Sequence, residues 1–189
     1  MIVIKEKDAV YFATQTKVTF YRFLRAMADY TCEENIKAWH VNDEYGTIVM
    51  VDTVSLRLID LLRYSDVFDC EFTKEGMNEV FIKIKNLISG TNCRIVDGAI
   101  GATIFIARGN KVYMILGGGE VIEIIDDFEC VSTIEETIVA TYECCKNIPD
   151  VYERIKTLYD KSGALRKEQL YPIAVISTKD SKCSFLTNE

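Results

Sequence analysis

The sequence lacks the features that define several large classes of protein. No uninterrupted apolar stretch approaches the roughly 20 residues that span a bilayer, and the first residues show no basic region followed by an apolar core and a small-residue cleavage site. We therefore expect neither a membrane segment nor a signal peptide. No Pro- or Gly-rich linker, repeat or low-complexity stretch divides the chain, which predicts one domain over residues 1–182 and a polar C-terminal tail at 183–189.

Paired metal-binding cysteines and an excess of positive charge are also missing. The chain has seven cysteines without a C-x-x-C pair and a single histidine, His40, so we expect no metal site and no cofactor. An odd number of scattered cysteines without a secretion signal is typical of reduced thiols, which predicts a cytoplasmic protein. The net charge of −7 argues against binding to nucleic acid or to anionic membrane surfaces, because basic patches provide that affinity.

Hydrophobic periodicity predicts the order of the secondary structure. The chain opens with two apolar runs, at 1–4 and 9–13, around the charged turn at 5–8, which is typical of a β-hairpin. Further strands are predicted at 36–41, 47–51, 102–107, 112–116, 121–125, 128–131 and 172–177, and helices at 56–62, 74–88, 134–145 and 151–159. The strands between 102 and 131 are interpreted as one meander, with Gly117, Gly118 and Gly119 in a hairpin turn.

Helices that arrive in pairs between antiparallel hairpins predict two stacked sheets with helices outside each of them. Near-continuous apolar strands such as TIVMV and ATIFIA support this arrangement, because a sheet covered on both faces loses its polar alternation. The fold class is therefore predicted as α+β, in the form of a four-layer αββα sandwich.

Three segments carry a resemblance to a known superfamily. They are IVIKEKDAVYFATQTKVT, ENIKAWHVNDEYGTIVMVDTVSLRLIDLL and ATIFIARGNKVYMILGGGEVIEIIDDFECVSTIEETIVATYECC. They resemble the opening hairpin, the next hairpin with the first long helix, and the later strands with the following helix of N-terminal nucleophile hydrolases. The likeness is to the branch of proteasome β-subunits and bacterial proteasome-like peptidases. It implies the four-layer fold and assembly of copies, as a dimer or a ring.

The resemblance also implies three catalytic positions, which this sequence does not fill. Family members use an N-terminal threonine whose α-amino group accepts its proton, together with an aspartate and a lysine. Here the first strand begins at Met1 and Ile2, the aspartate position falls on Gln15 or Thr14, and the lysine position falls on Ala38, next to Lys37. Strand alternation sends Lys37 to the opposite face from Ala38. This indicates a non-catalytic protein that works by self-assembly or binding.

Two alternatives stay open from the sequence. The first is an amide-bond hydrolase, specifically a threonine-type peptidase, whose nucleophile is a processed threonine or another hydroxyl at Thr14, Thr16 or Thr133. Cleavage before Thr14 or Thr16 would remove a strand that the fold needs, and Thr133 is explained by helix capping with Ser132 and Glu135. The second alternative is a module that binds a peptide or small molecule in the inherited cleft.

Overall fold

The computed structural model describes residues 1–22, 25–31, 37–53, 55–91, 95–96, 99–131, 135–166, 170–180 and 182–187. Its elements in chain order are β1 (Ile2–Lys5), β2 (Val10–Gln15), β3 (Lys17–Arg22), β4 (Arg25–Thr31), β5 (Ala38–His40), β6 (Ile48–Asp52), α1 (Leu56–Arg63), α2 (Lys74–Ser89), β7 (Ile95–Val96), β8 (Ala99–Ile100), β9 (Thr103–Arg108), β10 (Lys111–Ile115), β11 (Val121–Glu123), β12 (Phe128–Cys130), α3 (Glu135–Cys145), α4 (Val151–Arg166), β13 (Ile173–Ser177) and β14 (Ser184–Leu186). Among the described residues, no helix is both long and apolar enough to cross a membrane.

Two five-stranded antiparallel sheets form the centre of the fold. Sheet 1 has the strand order β12-β1-β2-β13-β14, and sheet 2 has the order β11-β10-β9-β6-β5. The opening hairpin pairs Ile2 with Ala13, and β2 pairs on its other side with β13, where Ala13 lies opposite Val175. Strands β3 and β4 form a separate hairpin, as do β7 and β8.

Helices α1 and α2 cover the outer face of sheet 2. Each begins with a hydroxyl cap, since Ser55 Oγ accepts a hydrogen bond from the backbone N–H of Leu58 at 3.2 Å and Thr73 Oγ1 accepts one from Gly76 at 3.1 Å. Their apolar residues recur at three- and four-residue steps and face the sheet. The layer is built from Leu58, Leu62, Met77, Val80, Ile84 and Ile88 against Val49, Val51, Ile104 and Ile106.

Helices α3 and α4 form an antiparallel pair over the outer face of sheet 1. Their buried side chains include Tyr142, Ile155, Leu158 and Tyr159, packed against Ile2, Ile4, Ala13, Ile173 and Val175. The buried Arg154 fixes the α3–α4 connection: its Nε and Nη2 donate to the Ile148 carbonyl, and its Nη1 pairs with Glu6 at 2.7 Å.

A third apolar layer lies between the two sheets. It contains Val3, Val10, Phe12 and Ile176 from sheet 1 and Ile48, Met50, Phe105, Ala107 and Val112 from sheet 2. Successive strand residues point to opposite faces, so β1 and β2 supply Ile2 and Ala13 to the helices, and Val3 and Phe12 to the layer between the sheets. The predicted αββα sandwich is confirmed.

One detail of the prediction is wrong, and one segment is more ordered than the word tail suggests. The segment at 128–131 does not continue the meander of β9, β10 and β11, because β12 crosses over and pairs with β1 in sheet 1. Part of the predicted tail at 183–189 is also structured, since β14 pairs with β13 as the edge strand of sheet 1. In both cases the strands are short, and their sequence does not specify which neighbour they join.

The buried Tyr159 predicts a loss of stability in alkaline solution. Its hydroxyl donates to the Ala13 carbonyl at 3.2 Å, and burial raises the pKa of this tyrosine well above its ordinary value. The unfolded chain therefore releases the proton near pH 10 while the folded chain retains it, so the contribution is complete below pH 10 and is lost as pH rises above it. We expect Tyr159 to contribute a loss of about 1.4 kcal/mol of unfolding free energy per pH unit above pH 10. Urea unfolding between pH 8 and 11 measures this slope.

Tyr159→Phe is the variant that isolates this effect. It removes one ionisable group and should make the alkaline slope shallower by about 1.4 kcal/mol per pH unit, the share of one proton. The slope that remains belongs to groups such as Tyr171, whose pKa is also raised by burial. The lost hydrogen bond lowers stability at pH 8 by about 1 kcal/mol. Tyr64→Phe, at a tyrosine that is 84% exposed, is the matched control and should keep the slope of the unmodified protein. An unchanged slope in Tyr159→Phe would contradict the assignment.

Candidate functional site

Residue 1 lies at the end of a central strand of sheet 1. The α-amino group of Met1 donates to the Val131 carbonyl at 3.1 Å, and the Val131 N–H donates back to the Met1 carbonyl at 3.1 Å. The Met1 side chain packs against the layer between the sheets. Residue 1 therefore stands at the position where the resemblance places the nucleophile, but its thioether has no proton to release and cannot attack a carbonyl through oxygen.

The α-amino group of Met1 has an environment that suits a base. Burial lowers its pKa below the ordinary value, because the charged form is poorly solvated there. Asp52 and Cys130 act in the opposite direction, and Lys37 lowers the pKa further. An amine with a lowered pKa thus lies at the end of β1, while residue 1 has no hydroxyl or thiol that the amine could deprotonate.

Lys37 and Asp52 form the charged part of this region. Asp52 is the last residue of β6 and follows the alternation of Ile48 and Met50, which places it on the face between the sheets. Lys37 precedes β5, and its Nζ lies 3.9 Å from Asp52 Oδ1. The long lysine side chain therefore reaches this region, although alternation predicts that Lys37 points away from Ala38.

The other positions implied by the resemblance hold no charge in this cleft. Ala38 is buried between the sheets and has only a methyl group there. Gln15 lies on the helix-facing side of β2, the side of Ala13, and its Nε2 donates to the Leu170 carbonyl at 3.2 Å. Ile2 is buried against α3 and α4. None of these three side chains supplies an acid or a cation to the amine of residue 1.

The candidate threonines occupy structural positions. Thr14 is buried on the same face of β2 as Phe12, and its Oγ1 donates to the Gln15 carbonyl at 3.3 Å. Thr16 is buried at the end of β2, where its Oγ1 donates to the Pro172 carbonyl at 3.1 Å. Thr133 lies outside the described residues. Cleavage before Thr14 would remove β1 and most of β2, and with them the partners of β12 and β13.

Sequence reasoning missed Asp52 and the Val131 carbonyl. The available signal for Asp52 was an acidic residue directly after the buried run TIVMV, where a strand leaves the core. Val131 carries no such signal, because its contribution is a backbone carbonyl brought to Met1 by the crossing of β12 into sheet 1.

No group of three or more metal-ligating side chains occurs among the residues that the structure describes. The acidic residues at 120–129 do not converge into such a cluster. Of the residues that the structure describes, those that act on the Met1 amine are the Asp52 carboxylate, the Cys130 thiol and the Lys37 ammonium group.

Comparison with solved structures identifies the fold. The chain is similar to BPH from Thiobacillus denitrificans, with a TM-score of 0.72 and 11% identity, over 100% of this chain and 98% of that chain. It is similar to HslV from Trypanosoma brucei, with a TM-score of 0.63 and 13% identity, over 93% of this chain and 97% of that chain. For Anbu from Hyphomicrobium sp. strain MC1 the TM-score is 0.60 and the identity 12%, over 100% of this chain and 87% of that chain.

No family model and no curated protein sequence matches the chain. Because the sequence identities are only 11–13%, the agreement with the solved structures lies in the arrangement of the strands and helices. The resemblance read from the sequence is confirmed at that level: the chain has the proteasome-like, four-layer fold of the N-terminal nucleophile hydrolases.

Proposed function

We propose that this chain is a proteasome-like subunit without N-terminal nucleophile catalysis, which acts by self-assembly or by binding. The observation that carries the proposal is the content of the site at residue 1. The Met1 amine has a lowered pKa, as a base in this position would need, but the Met1 side chain is a thioether and Ala38 has only a methyl group. Gln15 lies on the helix-facing side of β2, away from the layer between the sheets. Nucleophilic catalysis of this type needs the hydroxyl and the base on one residue.

The proposed assembly is supported by apolar side chains on the outer surface. The exposed large apolar residues include Ile122, Ile125, Val139 and Leu165, on and after β11 and on α3 and α4. An isologous or ring contact between copies would remove such side chains from water. The resemblance to HslV and to other proteasome-like structures favours a homo-oligomer, either a dimer or a ring.

A cytoplasmic location is part of the same proposal. Cys70, Cys144 and Cys145 are free thiols, which is the state that a reducing compartment maintains.

Mass spectrometry with epoxomicin tests the proposal, because BPH from Thiobacillus denitrificans forms a complex with Epoxomicin. The purified protein is incubated with the inhibitor and measured under native and denaturing conditions. We expect a native mass at a multiple of 21.5 kDa and a denatured mass without an adduct. The denatured mass also identifies the first residue of the mature chain.

An active N-terminal threonine peptidase, treated in parallel, is the positive control for the inhibitor. A covalent adduct on this chain, or a mature chain that begins with threonine, would contradict the non-catalytic proposal. A native mass of 21.5 kDa at all concentrations would contradict self-assembly and leave binding as the remaining mode of action.

A further inference from the structure

The outer surface of the α3–α4 pair carries a groove that is separate from residue 1. The groove has a volume of about 750 Å³ and takes its walls from both helices. Its apolar lining includes Ala140, Ala164 and Leu165, and its charged lining residues in the described part of the chain are Glu136 and Lys161. The opposite faces of both helices are packed against sheet 1. The groove is therefore open to a partner that approaches from outside.

Leu165 projects beside this groove. Its side chain is 71% exposed, which leaves most of a large apolar residue in water. Ala140 and Ala164 are exposed as well, and their short side chains leave a recess next to the leucine. One surface thus presents both a projecting apolar side chain and a recess that could receive one. A second copy of the chain offers the same two features and can exchange them with the first.

The charge of the groove also favours a second copy. Among the described residues its lining contains one carboxylate, from Glu136, and one ammonium group, from Lys161, and both side chains are exposed. Neither has an ion-pair partner within the part of the chain that the structure describes. The whole chain has a net charge of −7, so two copies repel each other least where the surface has no net charge.

The spacing of these residues is self-complementary. Glu136 and Ala140 are one helical turn apart on α3, and Lys161 and Leu165 are one turn apart on the antiparallel α4. A two-fold axis perpendicular to this face reverses α4 of the second copy, which then runs in the same direction as α3. When Glu136 faces Lys161 of the second copy, Ala140 therefore faces Leu165 of that copy, and each pairing occurs twice.

We propose that this groove is a two-fold contact between copies of the chain, in which Leu165 of each copy packs over Ala140 of the other and Glu136 pairs with Lys161 of the other. The inference rests on the self-assembly in the proposed function and names the surface that carries it. A contact of this kind joins copies in pairs, so the assembly has an even number of subunits.

Leu165→Glu tests the contact. The unmodified chain and the variant are measured by native mass spectrometry and by sedimentation over the same range of concentrations. We expect the unmodified chain at an even multiple of 21.5 kDa and the variant at half that mass. Both copies lose the leucine and bring a carboxylate to the contact, which should weaken association about a hundredfold or more. Ile82→Glu, at an isoleucine that is 57% exposed on α2, is the matched control and should keep the original mass.

Exchange of the two charges tests the register of the contact. Glu136→Lys and Lys161→Glu each place like charges opposite each other twice, and each should weaken association about tenfold at low salt. The double variant that carries both changes restores the opposite charges and should recover the original affinity within about twofold. Its net charge is the same −7 as that of the unmodified chain, so the recovery cannot come from net charge.

The outcomes separate this inference from the proposed function. A native mass of 21.5 kDa at all concentrations would overturn both the contact and self-assembly. An assembly that keeps its mass in Leu165→Glu, or that has an odd number of subunits, would overturn the contact alone and leave self-assembly through another surface. A double variant that associates as weakly as the single variants would overturn the pairing of Glu136 with Lys161.

The substituted side chains are exposed, so the variants are expected to fold. Near-UV circular dichroism checks this for each of them. If Leu165→Glu does not fold, the exchange of Glu136 and Lys161 carries the test, because it changes only two charged side chains on the surface.

Discussion

Replacing Phe105 with alanine is expected to lower the free energy of unfolding by about 3–5 kcal/mol, the range for a fully buried phenylalanine. Phe105 has no exposed surface and lies in β9, opposite Met50 and Met114 on the two neighbouring strands. Its ring meets that of Phe12 from the other sheet edge to face, at 6.3 Å between centroids. The variant loses this contact and has a cavity between the two sheets. Because each sheet is also packed against helices on its outer face, the sheets cannot easily move together to fill the cavity.

Urea unfolding at a fixed protein concentration measures this loss, because a self-associating protein has a concentration-dependent stability. Phe185→Ala is the matched control: Phe185 is 39% exposed on the edge strand β14, and its removal should cost about 1 kcal/mol or less. Equal losses in the two variants would mean that the layer between the sheets does not hold them together. With a typical total stability of about 5–15 kcal/mol, the Phe105 variant should be largely unfolded at moderate urea concentrations.

The layer order of the fold was predictable because the chain has two clear hydrophobic periods. Residues 74–88 carry apolar side chains at helical steps, and the helix runs over Lys74–Ser89. The runs TIVMV and ATIFIA are apolar on both faces, which requires cover on both sides and leads directly to stacked sheets with outer helices. The hydrophobic period and the length of each segment were enough to predict these helices and strands, without knowing which elements they pack against.

Strand partners were less predictable than the strands themselves. Residues 128–131 read as the last strand of a meander, yet β12 pairs with β1, more than a hundred residues away in sequence. Both sheets offer the same surroundings, an apolar layer on each face, so local sequence does not distinguish them. The crossing occurs in the short segment of residues 124–127, in which Ile124 is buried between the sheets while Ile125 is exposed.

The same limit applies to the site at residue 1. The resemblance assigned the lysine position to Ala38, and alternation turned Lys37 to the opposite face, but neither anticipated that the side chain of Lys37 reaches Asp52. The Val131 carbonyl at the Met1 amine depends on the crossing of β12 and could not be anticipated before that pairing was known. The missing hydroxyl at residue 1 was visible in the sequence, whereas the charged groups around the amine could be identified only from the fold.

Replacing Gly76 with alanine is expected to destabilise the protein by about 2 kcal/mol, although alanine is the better helix former by about 1 kcal/mol. Gly76 lies in the first turn of α2, where an added Cβ would collide with the carbonyl oxygen of Glu71. That oxygen belongs to the backbone and also accepts the N–H of Thr73. The clash must shift the chain before α2 or break the Thr73 cap, at a cost of about 1–3 kcal/mol for overpacking and about 1 kcal/mol for the cap.

Gly90→Ala is the matched control at the other end of the same helix. Gly90 has a φ of −86°, which alanine adopts readily, and an added Cβ would meet no atom within 4 Å. There the substitution should leave stability unchanged or raise it by about 0.4–1 kcal/mol, through the smaller entropy of the unfolded chain. The two Gly→Ala changes should therefore have opposite signs in urea unfolding, and a Gly76→Ala variant as stable as Gly90→Ala would contradict the close approach of residue 71 to α2.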